Sequence, residues 1–490
     1  MNRKTLSLLL CALMLAPGFA SCGNTAAETE SADTAAVTET AAQTEETSYL
    51  ASLPTVDYDG MELCMIAKNS ADLPTTIILC EGEMTGEPIN DAIYQRDEQL
   101  SDRYNVKIVN VVDSSIGKED KRSAIAAGDA PWEVLWENMA STGLHLVSNN
   151  MVYPLNYVEN IDLSQPCWEQ TANEALKIGD SIYFPTGPIA PKYYGSVYVI
   201  LFNREMAEDL GLRDYYTTVE EGKWTLDLLM QDARTATSDL DGNGTLTDDD
   251  RLGFAYEVLT TDALVLGAGH HFVRQEDNKM HILYDDENLV NTMQTLMDFY
   301  QEDCVVWMDG GKFDYSKLLT SGRILFGNPC TFNIAGYRDF DYDFGVLPMP
   351  KGAETQDKYI SYAQPWATAT PFVPVTVQGE TRAMTGMLLQ AMAAYGLEEL
   401  KPVVLNDVIT LKNTRDEQSA RIVEQLFECV TFDLMTILNP GDLYNQVNAL
   451  YTSRLGAQDV TSVFASRKEA AYTALESILN EYRDREADFQ

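Results

Sequence analysis

Residues 57 to 112 switch backbone period twice, and that switch constrains the fold of this chain more than any other feature. Met61 to Ala67 is an apolar run led in by the turn Asp57-Tyr58-Asp59-Gly60 and reads as a strand. A helix is predicted from near Asn90, with Ala92, Ile93, Leu100 and Tyr104 on one face, and Val106 to Val112 reads as the next strand. Strand, helix and strand in that order predict a βαβ layout and an α/β core. A further apolar run, Thr75 to Cys80, lies between them. Ala130-Pro131-Trp132-Glu133-Val134-Leu135-Trp136 reads as a strand emerging at a functional edge, and Tyr153-Pro154-Leu155-Asn156 closes the unit.

The same alternation continues downstream. Ser181 to Pro185 and the apolar run Val197 to Phe202 lead to Asn203 and a helix ending near Gly211. Trp224-Thr225 opens another helix with Thr225 as N-cap, since a threonine oxygen takes one of the unpaired amides of a first turn. Helices are predicted over 288–300 and over 381–395, the latter stopped by Gly396. The last is predicted to start at a capping box, Ser466-Arg467-Lys468-Glu469, and to run through Leu475, Ile478, Leu479 and Tyr482.

A chain of 490 residues with 45% hydrophobic content is long enough for two lobes or more. Its 75 acidic and 34 basic side chains give a formal charge of −41, which argues against DNA, RNA or an anionic lipid surface as partner. Six cysteines lie beyond residue 22: Cys64, Cys80, Cys167, Cys304, Cys330 and Cys429. Several sit inside apolar runs, where a thiol behaves as a small hydrophobe, so mostly free thiols are expected. No Cys-x-x-Cys spacing suggests zinc or redox chemistry.

The N-terminus reads as an export signal over residues 1–21, with Arg3 and Lys4, an apolar core from Leu6 to Leu15, and small residues Ala20 and Ser21 before the cut. The core is too short for a membrane span, which needs ~20 apolar residues. Phe19-Ala20-Ser21-Cys22 resembles a bacterial lipobox, with Phe19 where such motifs usually carry Leu. The resemblance implies that Cys22 receives a diacylglycerol, palmitate among its acyl chains, and becomes the new N-terminus. Ordinary cleavage after Ala20 is the alternative. From Gly23 to Thr47 the chain is Ala, Thr, Glu and small polar residues with six acids and no Lys or Arg. It cannot bury enough apolar surface to offset the entropy of ordering, so residues 22–55 are expected to form a disordered tether reaching ~25–30 Å.

The strongest local motif is Asp239-Leu240-Asp241-Gly242-Asn243-Gly244-Thr245-Leu246-Thr247-Asp248-Asp249-Asp250, which follows the pattern of an EF-hand calcium loop. Asp239, Asp241 and Asn243 would supply side-chain oxygens, Gly244 the sharp turn, Thr245 its carbonyl, and Asp250 the place usually held by Glu. A hard cation wants many oxygens, and a run of acids without one repels itself. A solvated acidic turn is the bland reading. Leu252-Gly253-Phe254-Ala255-Tyr256 reads as a strand, so the calcium would staple a loop rather than join two helices.

In segment order the chain resembles the extracellular solute-binding lipoproteins of ABC importers (family 1), in the branch that includes maltose-binding protein. The residues carrying the resemblance are Ile178-Gly179-Asp180-Ser181-Ile182-Tyr183-Phe184-Pro185, Leu201-Phe202-Asn203-Arg204-Glu205, Trp224-Thr225, the Asp-rich loop before Gly253-Phe254, and Phe344-Gly345-Val346-Leu347-Pro348-Met349-Pro350-Lys351-Gly352. The resemblance implies an α/β, two-lobed, type II periplasmic-binding-protein-like fold with interlobe hinge strands. Lobe 1 would hold residues 56–157 and 368–400, and lobe 2 residues 158–367 and 401–490. It also implies a monomer, lipid-anchored at the extracytoplasmic face of a bacterial cell membrane, that hands a solute to permease subunits.

Sugars present hydroxyl edges and weakly polar C–H faces, which suit aromatic rings beside amides and carboxylates. The cleft segments offer Trp136, Asn138, Tyr193, Tyr194, Tyr337 and Trp366 as binding candidates. Core packing is the alternative for each of these rings. A surface-anchored glycoside hydrolase would need a carboxylate pair ~5 to 9.5 Å apart, and no motif singles one out. There is no Gly-x-Ser-x-Gly elbow or His-Glu-x-x-His helix, and His270-His271 is an adjacent pair, so no enzyme is expected. A bilobal sensor or adhesion lipoprotein is the third reading.

Overall fold

The computed structural model describes residues 48–69, 74–80, 82–276, 279–308, 312–410, 414–452 and 459–489. The export signal, Cys22 and the tether as far as Thr47 lie outside the described residues. Ser48 to Gln490 forms one compact unit.

Two main sheets organise it. The first has the order β12-β3-β1-β2, with β1 (Met61–Ala67), β2 (Val106–Val112), β3 (Val134–Asn138) and, from far along the chain, β12 (Ala369–Phe372). β1 pairs in parallel with β2, Met61 opposite Val106 through Ala67 opposite Val112, and with β3 on its other side. β12 runs antiparallel to β3, Ala369 opposite Asn138. The second sheet has the order β10-β4-β9-β5-β8, built from β4 (Ile200–Asn203), β5 (Leu252–Tyr256), β8 (Val305–Trp307), β9 (Ile324–Gly327) and β10 (Phe344–Leu347). Two small ribbons complete the set: β6 (Val273–Glu276) with β7 (Lys279–Ile282), and β11 (Ser361–Tyr362) with β13 (Val430–Thr431). Leu63, Met65, Ile66 and Ala67 of β1 and all of β5 are buried, as expected of strands covered on both faces.

The predicted βαβ unit forms with β1 and β2 at the expected bounds. Its helix spans Pro88–Tyr104, and Glu87 caps it by accepting from the Asn90 amide at 2.7 Å. The run Thr75 to Cys80 is buried without being a strand. Asn69 takes its backbone groups instead, accepting from the Ile78 amide at 3.1 Å and donating to the Leu79 carbonyl at 2.7 Å. Thr225 caps the helix Leu226–Ala236 as expected.

Two helix ends differ from the sequence expectation. Gly396 does not stop the helix Gly379–Tyr395: it has ordinary helical φ −56° and ψ −44°, and the chain continues in a wider turn to Leu400. Glycine is required there because a Cβ would lie 2.4 Å from the Pro188 carbonyl oxygen. Ser466 is likewise inside a helix, Val460–Phe489, and its hydroxyl donates to the Val463 carbonyl. The cap is Asp459, which accepts from the Ser462 amide at 2.7 Å.

Residues 159–168, in the stretch expected to open the second lobe, pack against the Gly379–Tyr395 helix, whereas Gln170–Ala175 contacts Val430–Thr431. The Asp162 amide and the Trp168 indole both donate to Gln390 of the Gly379–Tyr395 helix at 3.0 and 3.1 Å, and Arg382 grips Glu159 with two bonds of 2.7 and 2.6 Å. At Gly386 a Cβ would lie 1.9 Å from the Glu159 carbonyl oxygen, so the two backbones touch. That helix in turn packs on Pro88–Tyr104.

The chain then crosses between the sheets. Thr186 and Pro185 are bonded to Ala369 and Thr370 of β12, and fifteen residues on the same stretch enters β4. The return crossing runs through Tyr362, whose carbonyl accepts from Tyr198, and Gln364, whose amide donates to Ser196, into β12. These paired crossings form the hinge region. The long Val460–Phe489 helix also touches both sides, with Lys468 on Asp285 and, near its end, Arg485 on the Val147 carbonyl.

Candidate functional site

The carboxyl ends of β3 in one sheet and of β5 and β9 in the other lie beside the crossings, with Met139 on Pro365, Glu257 on Tyr198 and Pro329 on Val199, where an open α/β sheet places its ligand crevice. The return crossing makes a turn over 364–368, in which Ala367 and Thr368 both donate to the Gln364 carbonyl. The Pro365 carbonyl accepts from Met139 at 3.0 Å and Ala140 at 3.2 Å, fastening the turn to the end of β3. Trp366 stands at its tip with 48% of its surface exposed. It lines a cavity of about 380 Å³ together with Val258, Leu259, Tyr444, Asn445, Asn448 and Ala449.

This cavity has the mixed chemistry of a polyol site, an indole face beside two amides. Its floor is polar and held in place. The Tyr444 hydroxyl donates to buried Asp262, whose carboxyl burial pushes up to about 8. Nearby, the Tyr198 hydroxyl donates to Glu257 at the end of β5.

The other expected residues lie elsewhere. Asn138 ends β3 and spends its side-chain oxygen on the Ser141 amide at 3.0 Å, turning the chain out of the sheet. Trp136 is buried, opposite Pro371 of β12, and its indole N–H has no partner among the described residues. Tyr193 and Tyr194 are buried too. The Tyr193 hydroxyl donates to Glu169 at 2.7 Å, and both rings pack against Phe427. Tyr337 is half-buried and stacked on Phe340 at 5.1 Å. Trp366 and Asn138 are therefore brought to the same end of β3, whereas Trp136 and the tyrosine pair serve packing.

The sequence reading missed Asn445 and Asn448, three apart on the helix Leu443–Thr452, a spacing that puts both amides on one face. It also missed a lysine group. Glu137 of β3 is buried and accepts a short bond from buried Lys121. The charged neighbours of Lys192, in the helix Pro191–Gly195, are Glu137 and Lys68.

The acidic loop brings Asp239, Asp241 and Asp250 together, with one carboxylate oxygen of each within 4.8 Å of the others. Backbone amides shape it. Gly244 and Gly242 donate to Asp239 at 2.6 and 2.8 Å, and those bonds hold its carboxyl below the usual range. Leu240 and Thr247 donate to Asp250 at 2.7 and 2.8 Å with the same effect. Gly244 has φ +82°, the conformation the turn requires, and Leu246 packs on the core. Asn243 accepts from the Thr245 amide at 2.8 Å.

The six cysteines are unpaired, all but Cys429 buried, and burial pushes the Cys64 thiol to about 11 and those of Cys167 and Cys304 to about 12. Such thiols are inert. His271 meets buried Asp433 at 3.3 Å beside a separate cavity of about 580 Å³, while His270 bonds to Thr292 at 3.0 Å.

No protein-family model matches the sequence, and no curated protein matches it. Solved structures do. UspC of M. tuberculosis is 14% identical, with a TM-score of 0.54 over 84% of this chain and 100% of that one. A cyclo/maltodextrin-binding protein complexed with maltotetraose is 15% identical, with a TM-score of 0.54 over 86% of this chain and 97% of that one. The fold is the type II periplasmic-binding-protein-like fold. Another example of this type II fold, the ABC substrate-binding protein Lmo0181 from Listeria monocytogenes in complex with cycloalternan, is 12% identical, with a TM-score of 0.51 over 86% of this chain and 99% of that one. The expected α/β, type II periplasmic-binding-protein-like fold is thus the observed one.

Proposed function

We propose that this chain is a solute-binding receptor that captures a sugar or oligosaccharide in the crevice at Trp366 and delivers it to an ABC import permease. The observation that carries the reading is Trp366 itself, half-exposed on a hinge crossing and flanked by Asn445 and Asn448. An indole left in water at the joint between two sheets costs apolar hydration that a stacked sugar ring would remove. Structures sharing the fold hold maltotetraose and cycloalternan, which supports the sugar class. Solute touching both sides of the hinge would stabilise one closed arrangement by its differential affinity.

In this reading Cys22 carries the lipid, residues 22–55 tether the body, and the receptor works as a monomer at the extracytoplasmic face of the membrane, without catalysis. Ca²⁺ fits the Asp239–Asp250 loop. Asp239, Asp241 and Asp250 offer converging hard oxygens, Asn243 and Thr245 further ones, and the amide-braced turn is already shaped to receive an ion.

Intrinsic tryptophan fluorescence against neutral and acidic oligosaccharides tests the function. Saturable change without turnover is expected, and Trp366→Ala should weaken binding about tenfold or more. Appearance of a cleaved product would instead establish the glycosidase, and no response to any saccharide would remove the sugar assignment.

A further inference from the structure

The charges at the ends of β1 and β3 run against those of the rest of the molecule. The chain carries 75 acidic and 34 basic side chains, yet here Lys121 pairs with Glu137, and the charged neighbours of Lys192 are that same Glu137 and a second lysine, Lys68. Glu137 is already engaged: it is buried and bonded to Lys121, itself fully buried. Lys192 is half-buried yet makes no hydrogen bond or ion pair with any described residue, and neither does exposed Lys68. Burial pulls the Lys192 ammonium below its usual range, and the nearby Glu137 carboxylate offsets only part of that cost.

The position of this group matters as much as its charge. Lys68 directly follows β1, Glu137 lies at the end of β3, and the helix carrying Lys192 packs against the segments Pro74–Thr76 and Thr331–Tyr337, one from each side of the crevice. Ser196, at the foot of that helix, bonds to Thr368 at 2.8 Å, two residues beyond Trp366. Two ammonium groups without a bonded partner among the described residues are thus tied to the turn that carries the exposed indole through Ser196 and Thr368.

We propose that the captured saccharide is acidic, with a uronate-type carboxylate received by Lys192 and Lys68 while the sugar face stacks on Trp366. This rests on the sugar-receptor reading above. A carboxylate accepts charge-assisted bonds that a hydroxyl cannot match, so Lys192 would set the choice between acidic and neutral sugars. Glu137, held by Lys121, keeps the ammonium groups from repelling one another before solute arrives.

Calorimetry on the exported chain tests this, with galacturonic acid trimer against galactose trimer as probes. The acidic trimer is expected to bind at least tenfold tighter, with affinity falling as salt rises. Lys192→Gln should lose about tenfold for the acidic trimer and leave the neutral one unchanged, and Lys68→Gln, at an exposed position, should lose less. An unchanged melting temperature confirms that each variant is folded. Equal or tighter binding of the neutral trimer, or full retention of acidic binding by Lys192→Gln, overturns the acidic assignment and leaves the sugar receptor standing. If neither trimer nor any other saccharide binds, both readings fall together.

Discussion

Asp262 sits beneath the Trp366 cavity with no exposed surface to speak of and one hydroxyl donor, that of Tyr444. Burial outweighs that bond and lifts its carboxyl to about 8 from an ordinary 3.8. A raised carboxyl binds its proton more tightly in the folded chain than in the unfolded one, so stability is full below pH 4 and is lost as pH rises through 8. The contribution is on the order of a few kcal/mol. The stability of the wild type to thermal unfolding should therefore fall between pH 4 and pH 8, while Asp262→Asn flattens that slope. An identical slope in both would show that Asp262 is not the group responsible. At this scale the sequence was an uneven guide. Trp366 and Trp136 were both offered as stacking rings, and the turn at Gln364–Thr368 leaves one in water while strand β3 buries the other. Tyr193 and Tyr194 were expected to face solute, but Phe427, more than two hundred residues away, covers them. Lys192 gave no local signal at all, because what marks it is burial beside Glu137 and Lys68 with no bonded partner among the described residues.

Elements were more legible where their cause was local. β1 and β2 and the Thr225 cap follow from patterns within a few residues. The helix ends at Gly396 and Ser466 did not, because a glycine demanded by the passing Pro188 backbone looks in sequence like a terminator. A serine inside a helix likewise resembles a cap. The acidic loop is the local case with a prediction attached. Its amides already hold Asp239 and Asp250 in place, so calcium would enter a shaped site. Calcium at about 100 times its Kd should stabilise the body by about 2.7 kcal/mol, read as a rise in melting temperature. Asp239→Asn with Asp241→Asn should abolish that rise. No shift for the wild type at millimolar calcium would exclude the ion.

On the scale of the whole molecule, the Val460–Phe489 helix acts as a strap. Phe464 packs on Tyr284 and Lys468 pairs with Asp285 near β7. At the other end Glu486 accepts from the Asp180 amide at 2.8 Å and the Ser181 hydroxyl at 3.0 Å, beside the Arg485 bond to Val147. Any bending at the hinge has to stretch or break these ties. Arg485→Ala with Glu486→Ala should loosen the second attachment, lower stability by about 1–3 kcal/mol, and enlarge the radius of gyration in small-angle scattering. An unchanged radius would mean that the crossings alone hold the arrangement.

The sequence alone determined the alternation of strands and helices, the tight acidic turn at Asp239–Asp250 and the general class of fold, because periodicity, caps and turn residues act over a few positions. Tertiary structure alone decided that residues 159–168 pack on the Gly379–Tyr395 helix, that one indole of the expected set faces solvent, and that Glu137 pairs with Lys121 beside Lys192. Those outcomes depend on contacts between residues tens to hundreds of positions apart, where burial and charge compensation are properties of the packed whole.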